Sequence, residues 1–502
     1  MAGLDHQSFW IDEIASLKLA QDGLLDGFRR IRGDVHPPGY FALLQLWIQA
    51  VGRSESAVRW LSVIPSLLTI GALFRLGRLL YGPHQAAGRR IGLMAAAIAA
   101  GSLCHIYYAQ EARSYAWLML LATLSMDATA RFAASGRRRD LARYAVTAAA
   151  LLYTHYFGIF AVAAQNAFVL ALWWGARGPG EPRLPLRRWL VVQAGVALAF
   201  LPWLPSLVAQ IQQVRAGFWI GEPSLAGLGT AFLRFASLTG PWSQGGPPGW
   251  LSLTVGGVVV AAAIAGVALA IWRAQHPGGA GEMGQGPDAA ARRRYDSRLL
   301  LGLWLLLPPL AGWSLSLFGL DVFSYRNTLI SAPAFALLLA VLCDTLSQPR
   351  WKALAVATLL SPSLLQAPGY YRDPHKDQWR EAARYVETRY SAETDAVAFD
   401  APFIRGSFLH YAPGLREALT SQRDIDLHAA GPPDQRRIWL VRAYAGPRSK
   451  SSKRIVRWGY REMQRIELVA IEIVLFARPD EPDEPDEPDE PDPAAPRARQ
   501  PR

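Results

Sequence analysis

Two adjacent carboxylates, Asp12 and Glu13, stand in the run Ser8 to Ser16 (SFWIDEIAS), directly after Phe9, Trp10 and Ile11. A carboxylate partly desolvated by such neighbours can take the proton of a hydroxyl or amine as it attacks. The plainer reading of the same pair is a solvated acidic loop. Twenty-odd residues on, His36 precedes Pro37 and Pro38 in DVHPPGYF, residues 34 to 41. The prolines fix an extended entry into a helix, so His36 either only starts that helix or donates to a phosphate. A third polar segment, QEARSY at 110 to 115, lies between two apolar runs. Its charges either snorkel from helix ends, or Arg113 grips a phosphate while Glu111 orients it or a sugar hydroxyl. Tyr115 closes this segment and joins them as a donor-binding candidate. His155, in THYFG, is either a core histidine or a ligand, and Arg326 either an interfacial anchor or a second phosphate grip.

No Walker loop, GxGxxG fingerprint or HExxH pair occurs, so a nucleotide donor has no support in the sequence. No cofactor is called for; a divalent metal stays an open option with no ligand pattern behind it. Cys104 and Cys343 are the two cysteines, each inside an apolar segment, which argues against a disulfide framework or a cysteine metal site.

The elements that must position these residues are apolar. Of 502 residues 51% are hydrophobic and 18 are Trp, and several runs reach the ~18–20 apolar residues that span a hydrocarbon core. The net charge of +12 does not indicate nucleic acid. Lys and Arg fall in short loops between apolar runs, as expected for cytoplasmic loops: near Arg75, Gly88–Arg90, Arg137–Arg143, Arg183–Arg188, Arg273–Arg298 and Pro349–Lys352. Spans are expected at 59–80, 90–108, 114–134, 187–208, 250–272, 299–318, 328–346 and 352–367. The run Leu141–Trp174, with basic flanks, is expected to form a two-helix hairpin turning near Thr154–Gly158, giving about ten crossings. Pro38–Val51 is too short to cross and is expected to lie in the outer interface. The N-terminal, 110–115, Thr154–Gly158, Gln210–Gly249 and Asp321–Asn327 loops would then face outward.

From about Tyr370 the pattern changes. Residues 378 to 387 have helical spacing, and 395–400, 438–442 and 467–476 read as strands. The expected fold is therefore an all-α polytopic membrane protein with a small C-terminal extracytoplasmic α/β domain. Its expected divisions are 1–58, an extracytoplasmic catalytic loop with the interfacial helix; 59–367, transmembrane; 370–478, α/β; and 479–502, a Pro/acidic tail that cannot bury a core. The Gly/Ala-rich 277–291 is expected to be a flexible cytoplasmic loop.

In order along the chain, WIDE (10–13), HPPGYF (36–41), SESAVRWLS (54–62), YYAQEARSYA (107–116) and YTHYF (153–157) resemble bacterial membrane glycosyltransferases of the GT-C fold. The group resembled includes the dolichyl-phosphate-mannose–protein mannosyltransferases and the aminoarabinose transferase that modifies lipid A. The likeness is strong over about 8–175 and weaker to about 410. It implies a polyprenyl-phosphate-linked sugar as donor, an envelope lipid, glycan or protein as acceptor, and inverting transfer on the extracytoplasmic face of the bacterial inner membrane. It also implies a catalytic base at Asp12, with Glu13 beside it, and a place near the lipid phosphate for His36. Members carry a transmembrane helix ahead of the acidic loop; none precedes Asp12, so a first helix is expected to be missing through a misplaced start. The rivals are a lipid-linked glycan flippase, which would line a path through its helices with charge, and a non-catalytic envelope scaffold.

Overall fold

A computed structural model of the chain describes residues 3–21, 24–82, 84–175, 184–217, 220–241, 247–275, 288–416, 424–425, 433–444 and 450–479. It divides into two compact units, Leu19–Tyr370 and Met1–Lys18 with Tyr371–Arg502. The first eighteen residues, which the sequence was expected to keep with the helix at 38–51, thus sort with the C-terminal residues. The expected 277–291 loop is described only from Asp288, where it is helical, and the acidic tail from residue 480 lies outside the described residues.

The α-helices among the described residues are α1 (Ile11–Leu19), α2 (Leu24–Ile31), α3 (Gly39–Val51), α4 (Glu55–Tyr81), α5 (Ala86–Gly101), α6 (Leu103–Ala109), α7 (Tyr115–Ser135), α8 (Arg138–Thr154), α9 (Gly158–Gly175), α10 (Leu186–Phe200), α11 (Leu204–Ala216), α12 (Leu225–Phe235), α13 (Gly249–Gln275), α14 (Asp288–Leu317), α15 (Ala332–Asp344), α16 (Pro349–Arg372), α17 (Trp379–Glu387), α18 (Pro402–Tyr411) and α19 (Lys450–Arg457). Helices α2 to α15 belong to the first unit. Among the described residues, four stretches are long and apolar enough to cross a membrane: 55–81, 186–216, 297–317 and 327–344. A fifth is added if α5 and α6, bent by 64°, count as one. About ten were expected. Helix α7 is not among the stretches that qualify; it buries Thr123, Ser125, Asp127 and Thr129 among its apolar residues. The expected hairpin of 141–174 is present as α8 and α9, turning at His155–Phe157.

Two expectations need correction. The span at 90–108 is broken at Ser102, whose hydroxyl caps α6 by accepting from the amide of His105. The expected loop 210–249 holds the end of α11 and all of α12, which starts at Ser224, its hydroxyl accepting from the amide of Gly227 at 2.9 Å. The N-cap is a recognisable signal, but the glycine-rich start of α12 conceals it.

Packing in the helical unit relies on close backbone approach. A Cβ on Gly77 of α4 would meet the Cα of Gly92 on α5 at 2.8 Å, so the two helices cross on small residues, as membrane helices commonly do. One buried apolar cluster runs through this unit, with Leu76, Ile91, Leu118, Tyr144, Trp189, Leu300 and Leu337 among its members.

The second unit is built on a five-stranded mixed sheet. Its strands are β1 (Asp395–Phe399), β2 (Asp424–Ile425), β3 (Arg437–Ala443), β4 (Arg461–Leu468) and β5 (Ile471–Ala477), in the order β2-β1-β3-β5-β4. β1 pairs parallel with β2 and β3; β5 pairs antiparallel with β3 and β4. Asp395 anchors the first strand, accepting from Arg437 Nε at 2.7 Å and Trp439 Nε1 at 2.8 Å. The expected strand 467–476 is instead two strand ends and a tight turn, with Leu468 paired to Ile471 and Ala470 left-handed at φ 61°. Neither Val469 nor Ala470 is a usual turn residue, so the turn leaves no mark in the sequence.

Candidate functional site

The residues singled out from sequence fall in both units. In the helical unit, His36, Glu111, Arg113, Tyr115, His155 and Arg326 form one network. Arg113 and Glu111 lie in the short bend between α6 and α7, closed by the amide of Arg113 donating to the carbonyl of Glu111 at 2.8 Å. Both are buried, as are Tyr115 and His155. From this bend the Nη2 of Arg113 donates to His36 Nε2 at 3.0 Å, and His36 Nδ1 donates to Asp34 Oδ2 at 3.3 Å. These partners select the Nδ1–H tautomer of His36. In this arrangement the ring accepts from Arg113 and thereby orients it. Burial works against the charge of Asp34, but the bond from His36, the amide of Val35 at 2.8 Å and the charge of Arg113 outweigh it and hold its carboxyl below the usual range.

Local sequence explains how His36 arrives there. The start of α3 packs against the carbonyl of Tyr153 at the end of α8, where only a glycine, Gly39, fits: a Cβ would stand 2.6 Å from that oxygen. Gln210 of α11 donates to the carbonyls of Ile31 at 2.9 Å and His36 at 3.5 Å, and its own side-chain carbonyl accepts from Tyr156. Helix α11 therefore holds the His36 segment from a second side.

His155 occupies the α8–α9 turn. Its Nδ1 accepts from the amide of Phe157 at 3.2 Å, its ring lies 5.9 Å from that of Tyr115, and the side chain of Asn327 also hydrogen-bonds to it. Burial first, then the neighbouring His36 and Arg113, push its pKa down to about 3. It is a neutral hydrogen-bonding group and carries no positive charge. Arg326 is within electrostatic reach of Tyr115, Tyr325 and Glu111, and its Nε donates to the Tyr325 hydroxyl at 3.2 Å.

Sequence reasoning passed over Arg234 of α12. Its guanidinium stacks 3.2 Å from the centroid of the Tyr325 ring. Its Nε and Nη1 are buried with no hydrogen-bond partner among the described residues, as is the Tyr108 hydroxyl. Buried donors left unsatisfied are costly and uncommon. A lone arginine in the otherwise uncharged α12 was the available signal.

The carboxylate pair lies in the other unit, at the start of α1. Glu13 is fully buried. Its Oε2 accepts from the amide of Trp10 at 3.3 Å, the return half of a capping box, and its Oε1 faces Lys376 Nζ at 3.3 Å. Asp377 accepts from the amide of Ile11 at 3.2 Å, from Trp379 Nε1 at 3.1 Å and from the Tyr444 hydroxyl. Burial pushes the Asp377 carboxyl up; the bonds from Tyr444, Ile11 and Trp379 act against this, and the nearby charge of Asp12 adds to it. The amide of Phe9 donates to the Tyr411 hydroxyl at 2.7 Å and Ser8 donates to the carbonyl of Asp377 at 2.6 Å. The peptide 8–13 is thus clamped by 376–379 and 411. Asp12 is partly exposed beside the buried Glu13. No group of three or more His, Cys, Asp or Glu side chains suited to a metal occurs among the described residues.

The described chain combines a largely helical apolar unit with one small C-terminal sheet. The chain is similar in fold to ArnT from Cupriavidus metallidurans in the apo state, with TM-score 0.52, 13% identity, and coverage of 94% of this chain and 95% of that one. It is equally similar to the same protein bound to undecaprenyl phosphate, with TM-score 0.51 at the same identity and coverage. Residues 35–208 match the family model described as dolichyl-phosphate-mannose-protein mannosyltransferase, a stretch that holds His36, Glu111, Arg113, Tyr115 and His155. The chain thus shares the fold of ArnT from Cupriavidus metallidurans, and over residues 35–208 it is similar to the dolichyl-phosphate-mannose-protein mannosyltransferase family. No curated protein matches it.

Proposed function

We propose that this protein is an integral membrane glycosyltransferase that moves a sugar from a polyprenyl-phosphate donor to an envelope lipid, glycan or protein, with inversion, on the extracytoplasmic face of the bacterial inner membrane. The observation that carries the reading is the Asp34–His36–Arg113 relay, with Arg326 in the same partly buried network. An arginine fixed in a protein interior by a histidine and a carboxylate suits an anionic, phosphate-bearing ligand. In this reading Arg113 and Arg326 hold the lipid phosphate and stabilise the charge it gains as it leaves. Arg234 joins them, its unsatisfied N–H groups taking phosphate oxygens. Asp12 takes the proton of the acceptor hydroxyl as that oxygen attacks the anomeric carbon. Glu111, Tyr115 and His155 orient the donor as neutral or hydrogen-bonding groups around it. The basic loops between apolar helices support cytoplasmic placement of residues 137–143 and about ten crossings.

The test compares two variants. Asp12→Asn should keep affinity for undecaprenyl phosphate while the single-turnover rate falls by about 10²–10⁴-fold. Arg113→Ala should weaken undecaprenyl phosphate binding by roughly 1.5–3 kcal/mol, as expected for a charge-assisted contact. Normal binding and turnover in both variants would remove the enzyme reading.

A further inference from the structure

The unit that carries Asp12 contains a buried ion pair that the reaction as described does not use. Lys376 Nζ lies 3.3 Å from Glu13 Oε1, with side-chain exposures of 4% and 0%. Glu13 spends its other oxygen on the amide of Trp10, so both of its oxygens are engaged. Next to Lys376, Asp377 accepts from the amide of Ile11 and from Trp379 and Tyr444. Residues 376 and 377 therefore grip the first turn of α1 on either side of Asp12, one through the side chain of Glu13 and one through the backbone of Ile11. Buried ions are held only where they are paired, and removing one partner strands the other.

We propose that Lys376 is a positioning residue that fixes the roles within the carboxylate pair: by taking up Glu13 it keeps that carboxylate out of the chemistry and holds the α1 turn so that Asp12 is the carboxylate presented. Lys376 acts through Glu13 and touches no reactant. This rests on the reading that Asp12 is the base.

The pair is tested as a double-mutant cycle on the full-length protein in lipid, with thermal unfolding as a check on folding. Lys376→Met leaves Glu13 buried without its cation; kcat should fall by at least about tenfold and by no more than the roughly 10²–10⁴-fold contribution of a positioned base, with affinity for undecaprenyl phosphate unchanged. Lys376→Arg keeps a cation there and should restore most of kcat. The decisive variant is Glu13→Gln with Lys376→Met, which removes both charges together; kcat should return to within a few-fold of wild type. A Lys376→Met enzyme with wild-type kcat would overturn the proposal. So would a folded double variant as slow as Lys376→Met, since Lys376 would then act on the reactants directly. Asp12→Asn in the same assay separates the two ideas: full activity there would refute the base, whatever the cycle shows.

Discussion

Gly39→Ala is the substitution that most directly tests whether the helical unit's geometry sets its phosphate affinity. The added Cβ would stand 2.6 Å from the carbonyl oxygen of Tyr153 and 3.0 Å from its carbon, where ordinary contact begins near 3.4 Å. The start of α3 must therefore retreat by about 0.8 Å, the difference between the ordinary and the forced separation. His36 lies three residues upstream, and the contact of its Nε2 with Arg113 is 3.0 Å. A shift of that size along the bond would take it to about 3.8 Å, beyond hydrogen-bonding range. Overpacking of this kind typically costs about 1–3 kcal/mol of stability, and Arg113 would lose the partner that orients it. The expected result is a lower unfolding temperature in detergent together with a roughly tenfold or greater loss of affinity for undecaprenyl phosphate, an amount equal to one lost hydrogen bond to a charged group. The same variant carrying His36→Ala should lose little further affinity, because the relay is already broken. Unchanged affinity in a destabilised Gly39→Ala protein would refute the view that the α3 start sets the position of Arg113 through His36.

Asp34→Asn should destabilise the protein at neutral pH. A carboxyl held below its ordinary value contributes stability that is present above the unfolded-state pKa, near 3.8, and is lost as pH falls through the lower folded-state value. The gap between wild type and variant in denaturant unfolding should accordingly close below about pH 4. Arg234→Met should weaken undecaprenyl phosphate binding by about 1.5–3 kcal/mol while leaving unfolding unchanged or shifted to higher temperature, because its buried N–H groups go unsatisfied in the protein; a large loss of stability would show the guanidinium to be structural. Cysteine placed at Arg138 should resist an impermeant thiol reagent in intact cells, and cysteine at Lys453 should react. Both positions are exposed, and the native Cys104 and Cys343 are buried, so the reverse pattern would invert the proposed topology.

The sequence by itself determined most of the apolar helices, the α8–α9 turn and the two main strands of the small sheet. Each of these is written locally: the α8–α9 turn at His155 falls between two apolar runs, Pro37 and Pro38 mark the entry to α3, and β1 and β3 are short apolar, β-branched runs. A hydrophobic face recurs over a few residues and can be read within one window. Tertiary structure alone decided what those residues hold. Glu13 and Lys376 are 363 positions apart, and His36 and Arg113 are 77 apart; nothing in either neighbourhood announces the partner. The break at Ser102 and the turn at Val469–Ala470 escaped for a related reason, since each uses residues that are equally at home inside a helix or a strand. The different surroundings of Asp12 and Glu13 are the clearest case. As neighbours in sequence they are interchangeable carboxylates, and only the packing of the folded chain buries Glu13 fully against a lysine from its other end while Asp12 stays partly exposed, because charge burial depends on what packs around the group and not on the residues beside it.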